Sequence, residues 1–379
     1  MTLKQISELL NTTIVPNTMG AEATIAEDLS NITELGKKIT EIESSDLSNY
    51  AQTFIVGVAK NFFDTREYKS VDLGLFIDAQ EYGGVIQRVK AKLLDTQSDP
   101  IWTLQNGQDY FDGAYYGVDI SSKIYNTDTI YMIAHSIPSE EFKQYFTSKD
   151  GVETLISLIE STVQNTLNRN IHALAKRTLC RLIESCKGDR VLNLVALYNT
   201  TYGTQLTSAT ALSNKDFLKW SSSVIIRLRD YIQEYNTKYN DGEVEGFTPA
   251  EDTRVTLLSE FSTALQFNME ADTFHNELVT VGEFNTVTSW QNPSNALLPT
   301  MGVSAQIKTK TGEGVGAVES TIENVVGVIY DKYSCGISAR LNKTTAQYIA
   351  KGDYTTYFNH IADRSFVDTR NTGIVLTLN

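Results

Sequence analysis

The chain has 379 residues, of which 41% are hydrophobic and 21% charged, an ordinary globular composition that at about 150 residues per domain suggests two or three core-forming units. Its formal charge of −14 repels polyphosphate over most of the surface and argues against a dedicated nucleic-acid-binding role. No run of about 18 apolar residues is present to span a bilayer, and Met1 to Asn11 lack the basic-then-apolar layout of a signal peptide, so the expectation is a chain made and kept in the cytosol.

The first sixty residues are predicted to be helical in pieces. Ile25, Leu29, Ile32, Leu35, Ile39 and Ile42 recur at steps of three or four among Glu22, Glu27, Asp28, Glu34 and Glu41, the pattern of an acidic amphipathic helix. A second helix is expected from Asp46, with Leu47, Tyr50, Phe54, Val58 and Phe62 on one side. From Val85 the period becomes two. Val85, Gln87, Val89, Ala91 and Leu93 alternate with Ile86, Arg88, Lys90, Lys92 and Leu94, a strand with one basic face. A partner strand is expected from Val118, and the Asp/Gly/Asn-rich stretch Asp95 to Gly117 between them makes the pair an extended hairpin with a broad tip. Trp102, Tyr110, Phe111, Tyr115 and Tyr116 load that tip with apolar surface that calls for a covering partner.

The strongest periodic signal follows. Leu155, Ile159, Val163, Leu167, Ile171, Leu174, Leu179 and Ile183 predict one helix from about Ser148 to Cys186, with Gly188 as its stop. Its second half carries Arg169, Lys176, Arg177, Arg181, Lys187 and Arg190, a basic stripe in an acidic protein. Residues 191–320 alternate helical signals, such as Phe217 to Tyr239, with strands and turns such as Asn240 to Gly246 and Gly312 to Gly316, a mixed α/β unit. At the end, Val325 to Tyr333 is predicted as a strand, Thr344 to Ala350 as a short helix, and Tyr354 to Phe366 and Gly373 to Leu378 as strands. The overall class is therefore α+β.

Few residues suggest chemistry. Cys180 and Cys186 would stand about 9 Å apart along one helix, too far for a disulfide, and Cys335 is the third cysteine. His135, His172, His275 and His360 form no zinc-like spacing. Gly312, Gly314 and Gly316 do not match a dinucleotide fingerprint, and no Walker lysine follows them. Asp241, Glu243, Glu245, Glu251 and Asp252 lack the twelve-residue calcium loop and are expected to form a solvated acidic turn. No catalytic residue, cofactor-binding residue or metal ligand is assigned.

The order of parts, an acidic helical arm, a long hairpin, a long helix, an α/β insertion and a return to sheet, resembles that of the major capsid proteins of tailed bacteriophages, the Hong Kong 97-type fold. Residue-level likenesses are Glu-Tyr-Gly-Gly-Val-Ile-Gln-Arg-Val at 81–89, Trp-Thr-Leu-Gln-Asn-Gly-Gln-Asp-Tyr-Phe at 102–111, Tyr-Asp-Lys-Tyr-Ser-Cys-Gly-Ile at 330–337 and Asn-Thr-Gly-Ile-Val-Leu-Thr-Leu at 371–378. The resemblance implies an N-terminal arm over 1–60, an extended loop and its flanks over 61–135, a peripheral domain with spine helix over 136–190, an axial domain over 191–320 and a return to the peripheral sheet over 321–379. It implies a non-catalytic protein that self-assembles as hexamers and pentamers into an icosahedral head enclosing double-stranded DNA, found in the virion and made in the bacterial host cytoplasm. Portal, scaffold and decoration proteins are the implied partners, with DNA enclosed rather than read by sequence. The subunit-interface candidates are Arg88, Lys90, Lys92, Trp102, Tyr110, Phe111, Tyr115, Tyr116, Arg177 and Arg181, with the basic strand face expected to meet acidic surface on a neighbour. Some relatives cross-link a loop lysine to a peripheral-domain asparagine; Lys90, Lys92, Asn359 and Asn371 are the nearest residue types, but no cross-linking site is evident and none is expected. With only some sixty residues ahead of the hairpin region, a separate scaffold protein and no maturation cleavage are expected. The alternatives are an encapsulin-like compartment shell and a soluble enzyme or binding module built on residues 191–320.

Overall fold

The computed structural model of the chain describes residues 3–18, 23–41, 49, 51–56, 58, 75–79, 85–94, 96, 105–107, 117–126, 128–270, 284–291, 301–311 and 318–379. Its axis is the helix Lys149–Ser185, 37 residues, or about 55 Å at 1.5 Å per residue. Ser148 opens it by accepting a hydrogen bond from the Gly151 N–H at 3.1 Å, and the Cys186 N–H closes it on the Leu182 and Ile183 carbonyls. All eight apolar residues that predicted the helix are buried.

That helix belongs to two cores. Val152, Leu155, Ile156, Ile159 and Val163 pack with Phe142, Phe146 and the N-terminal arm. Leu167, Ile171, Leu174, Leu179, Leu182 and Ile183 pack instead into the α/β core with Trp290, Tyr330 and Val375. A helix shorter by half would serve only one of them.

The arm contributes the helices Leu3–Thr13 and Ile32–Glu41 and helical residues 51–56. Helix does not begin at Ile25 as the periodicity predicts. Asn31 Oδ1 accepts from the Ala26 N–H at 2.9 Å, its Nδ2 donates to the Thr24 carbonyl at 3.0 Å, and Leu29 takes φ +56°, so short polar side chains hold a turn before Ile32. Ile25 and Leu29 are buried all the same. In the second expected arm helix Phe54 and Val58 are buried, whereas Leu47, Tyr50 and Phe62 lie outside the described residues.

The strands, in chain order, are β1 (Phe76–Ala79), β2 (Ile86–Ala91), β3 (Ile120–Tyr125), β4 (Asp128–Pro138), β5 (Val191–Asn193), β6 (Thr253–Leu258), β7 (Asn285–Val287), β8 (Ile307–Thr311), β9 (Val318–Ile322), β10 (Val325–Asp331), β11 (Cys335–Ile349), β12 (Tyr354–Val367) and β13 (Gly373–Thr377). They form a four-stranded sheet β1-β11-β12-β4, a five-stranded sheet β5-β13-β10-β6-β7, and the ribbons β2-β3 and β8-β9. β10, β12 and β13 fall where the sequence predicts strands, and β13 next to β10 builds the C-terminus into the five-stranded sheet. The helix predicted over Thr344 to Ala350 is instead the distal half of β11. Thr344 and Thr345 are β-branched and stiff, and each finds a partner across the ladder, Thr344 on Asn359 and Thr345 on His360. The helix predicted from Phe217 to Tyr239 runs Lys215–Tyr231, capped by Asn214, and gives way to turns bridged by Asn236 and Gly246. β4, not anticipated, pairs with β12 and is tied at its start by Asp128 to Arg364 at 2.6 Å and to Arg340. Asp353, at φ +47° in the turn after β11, accepts from both Ser139 and Tyr348 at 2.8 Å and so fixes the hairpin to the start of the helix that follows β4.

Gly36 marks the closest approach of the arm, because a Cβ there would run into the Phe146 carbonyl. Alanine in a helix interior normally stabilises by about 1 kcal/mol over glycine. Here Gly36→Ala is expected to destabilise by about 1–3 kcal/mol through overpacking, checked as a drop in urea midpoint; a stabilised variant contradicts the packing described.

Candidate functional site

The β2-β3 ribbon is the feature to which the sequence assigns a task, and its register sorts its residues into two faces. Ile86 pairs with Tyr125, Arg88 with Lys123 and Lys90 with Ser121 on one face; Gln87 pairs with Ile124, Val89 with Ser122 and Ala91 with Ile120 on the other. The first face turns inward onto its own chain. The second is open to solvent, with Val89 57%, Ile120 64% and Ile124 58% exposed, and Val85, Leu93 and Val118 extend it at the strand ends. Its polar members, Gln87 and Ser122, hydrogen-bond each other at 2.9 Å. It carries no charge.

A clasp at the loop after β12 holds the inward face. Arg370 is fully buried and uses all five guanidinium donors: Nε and Nη2 donate to the two Asp368 carboxylate oxygens at 2.9 Å, Nη1 to the Ser121 carbonyl at 2.7 Å and its hydroxyl at 3.1 Å, and Nη2 also to the Arg88 carbonyl at 3.1 Å. One side chain thus ties together the backbones of both ribbon strands. Lys90 Nζ returns a bond to the Arg370 carbonyl at 3.0 Å. The Arg88 guanidinium lies 4.4 Å from the Phe366 ring centroid and 5.6 Å from that of Tyr333. Beside them Lys123 meets Asp241 at 3.0 Å and Glu243 at 3.3 Å, and Thr369 donates to Asp241 at 2.6 Å. Burial works to raise the Asp368 carboxyl, but the bonds from Arg370 outweigh it and hold the group below the usual carboxylate range. Burial lowers the Lys90 ammonium.

Arg88 and Lys90, expected to reach acidic surface on a neighbour, therefore have partners in their own chain, and Asp368, Asp331, Asp241 and Glu243 of the same chain supply the acidic groups beside the inward basic face. The acidic turn is not wholly solvated either: the Asp241 side chain is 16% exposed and ion-paired. Lys92 is exposed at the ribbon end and pairs with Asp119 at 3.5 Å. Arg177 is exposed and Arg181 half-buried on the long helix, where burial and then the Arg177 charge lower the Arg181 guanidinium. Trp102, Tyr110, Phe111, Tyr115 and Tyr116 lie outside the described residues. Asn359 is buried, accepting from Thr344 and donating to the Ile133 carbonyl, and Asn371 donates to the Tyr333 carbonyl. Cys180, Cys186 and Cys335 are free and buried. Among the described residues no group of three or more His, Cys, Asp or Glu is placed to hold a metal ion, and no helix is long and apolar enough to cross a membrane. Asp368 and Arg370 were missed by the sequence reading; two residues apart in a loop, they carry no periodic signal.

Residues 12–370 match the sequence profile of the Phi29-like phage major capsid protein family. The chain belongs to that family. No curated protein sequence matches it. Its fold is similar to that of a chain in the capsid structure of Staphylococcus phage Andhra, with a TM-score of 0.55 and 8% identity over 82% of this chain and 84% of that one. It is similar too to a chain in the structure of the head fiber and inner core protein of native bacteriophage P68, with a TM-score of 0.52 and 10% identity over 81% and 83%. The α+β class and the capsid fold implied by the order of parts are those observed. The role of this capsid protein is structural, and the matches do not favour the encapsulin-like or enzyme readings.

Removing one partner of a buried ion pair costs about 3–5 kcal/mol, whereas replacing both by apolar groups is far milder. Arg370→Met alone is therefore expected to destabilise this capsid protein by about 3–5 kcal/mol, and Arg370→Met with Asp368→Leu by much less, as read by chemical denaturation. Because the folded Asp368 carboxyl is held below its unfolded value of about 3.9, the clasp's contribution is fully present above that pH and is lost as pH falls through the lower folded value. An acid transition equally steep in the double variant contradicts this.

Proposed function

We propose that copies of this chain tile an icosahedral head as hexamers and pentamers around double-stranded DNA, and that the outward face of the β2-β3 ribbon is a surface a neighbouring copy covers. The observation that carries this reading is the uncharged apolar face of Val85, Val89, Ala91, Leu93, Val118, Ile120 and Ile124, held off the body by the clasp on its other side. Each square ångström of apolar surface removed from water stabilises by about 25 cal/mol, and contiguous exposed apolar patches mark interaction surfaces. An isolated two-stranded ribbon is at best marginally stable in water, so a covering neighbour supplies what the single chain lacks.

Lys92, Arg177 and Arg181, the exposed or half-exposed cations among the candidates, are assigned to acidic surface of adjacent copies, where charge complementarity sets register more than affinity. The aromatic residues Trp102, Tyr110, Phe111, Tyr115 and Tyr116 are assigned to the same contact on sequence grounds. The charge of −14 suits a container whose wall does not trap the genome. Portal, scaffold and decoration proteins are further partners, the protein is made in the bacterial host cytoplasm and resides in the virion, and its subunits are held without covalent cross-links.

Ile120→Asp places a charge on the outward face, in the Ala91 pair that ends the ribbon register and on the side away from the clasp. The expected outcome is a folded subunit, with unchanged circular dichroism, that forms no closed shells by electron microscopy under conditions where the parent chain, supplied with its scaffold, does. Shells forming at the parent concentration would contradict the assignment of this face.

A further inference from the structure

His135 stands on β4 with its ring stacked on Tyr357 of β12, centroids 5.2 Å apart and planes at 24°. Neither ring nitrogen has a hydrogen-bond partner among the described residues, nor has the Tyr357 hydroxyl, although all three atoms are buried. The imidazole lines a narrow cleft with Ile55 and Val58 of the arm, Ile159, Glu160 and Val163 of the long helix, Thr344 of β11 and Asn359 of β12. Thr344 and Asn359 are already committed, Thr344 to Asn359 at 2.8 Å and Asn359 to the Ile133 carbonyl at 3.4 Å. Phe54, one residue before Ile55, packs edge-on against Phe146 at 5.8 Å. The cleft is thus where the arm is seated on the helix and the sheet together.

We propose that His135 is a proton-sensitive clasp for the N-terminal arm: neutral, it is part of the surface that seats residues 51–58; protonated, it unseats them. A neutral imidazole stacked between apolar groups leaves one N–H without an acceptor, already an unusual arrangement. A second proton adds another orphan donor and a full charge to a site walled largely by isoleucine, valine and a tyrosine ring, where Thr344 and Asn359 already bond each other. The arm segment 51–58 carries no ionisable side chain. The strands offer Tyr357, whose hydroxyl burial pushes up and keeps neutral, beside Thr344 and Asn359. The long helix offers Glu160, the carboxylate lining the cleft among the described residues, and its charge does not offset the burial that disfavours the imidazolium. Burial lowers the His135 imidazolium below its ordinary value of 6.5. With the folded value depressed, arm docking is fully stable above the unfolded value and is lost as pH falls through the folded one. The second half of the long helix, in the other core, carries His172, but that ring is on the exposed side of the helix and its protonation strands no donor among apolar groups, so the release is confined to the arm.

Hydrogen exchange on the full chain at pH 7.5 and 5.5, with protection factors corrected for intrinsic exchange, tests this directly. Protection across residues 51–58 is expected to fall at the lower pH by up to about tenfold, the ceiling set by the distance from an undocked imidazole near 6.5 to pH 5.5, while residues 167–183 keep theirs. His135→Phe keeps the ring and its stack but cannot take a proton, and its arm protection is expected to be the same at both values; His135→Gln is the second non-titrating variant should the phenylalanine one not fold. Wild-type protection that does not change with pH overturns the proposal without any variant, and so does a loss in the non-titrating variants equal to that in the wild type. Neither result depends on whether the chain forms shells.

Discussion

A buried guanidinium with every donor used is the constraint on which the proposed working surface depends. Two strands of six residues cannot hold a shape of their own in water, and the ribbon leaves the body with one apolar face bare. Arg370 resolves this by bonding to the carbonyl of Arg88 on one strand and of Ser121 on the other while Asp368 neutralises it. Backbone carbonyls are fixed points of a strand, so a side chain that reaches one on each strand sets the ribbon's direction as well as its attachment. Lys123 with Asp241 and Glu243, and Arg88 on the rings of Tyr333 and Phe366, add polar and cation–π contacts beside it. The basic face is consumed in this way, and the apolar one is the face left open to solvent.

The long helix performs the corresponding task for the body. Its first half is shared with the arm and its second half with the five-stranded sheet, so the arm, the sheets and, through the loop after β12, the ribbon are all referred to one rigid axis about 55 Å long. Assembly of many copies requires that kind of internal reference, because small errors of orientation within a subunit accumulate around a closed ring. The arm meets Phe146, just ahead of the long helix, through close packing at Gly36 and Phe54, and meets the sheet at His135, whose ring nitrogens have no partners among the described residues.

Much of this was legible in the residues. Steps of three to five from Leu155 to Ile183, with Ser148 ahead of them, located the long helix to within a residue at each end, because burial along such a helix repeats with its own period. Alternation from Val85 to Leu94 showed that the ribbon has a basic face and an apolar face. It did not show which is turned inward, since that is decided by Asp368 and Arg370, some 280 positions away and marked by no pattern. Thr344 to Ala350 was misread because the helical and extended preferences of a short polar stretch are settled by pairing with β12 rather than locally. Ile25 to Ile32 was misread for the opposite reason: the period was right, but the Asn31 side chain offered the backbone a local alternative to helix. The order of arm, hairpin, long helix and α/β insertion led to the capsid family, and order survives where individual motifs do not.

The claim that the clasp fixes the ribbon is tested most directly by a distance distribution in the unassembled chain. Spin labels at Val89→Cys on the ribbon and Lys343→Cys on β11, read by double electron–electron resonance, avoid the three native cysteines because those are buried. The account predicts one narrow distance in the otherwise native chain and a broad distribution once Arg370→Met is added. A broad distribution with Arg370 in place, or one that stays narrow without it, would contradict the account.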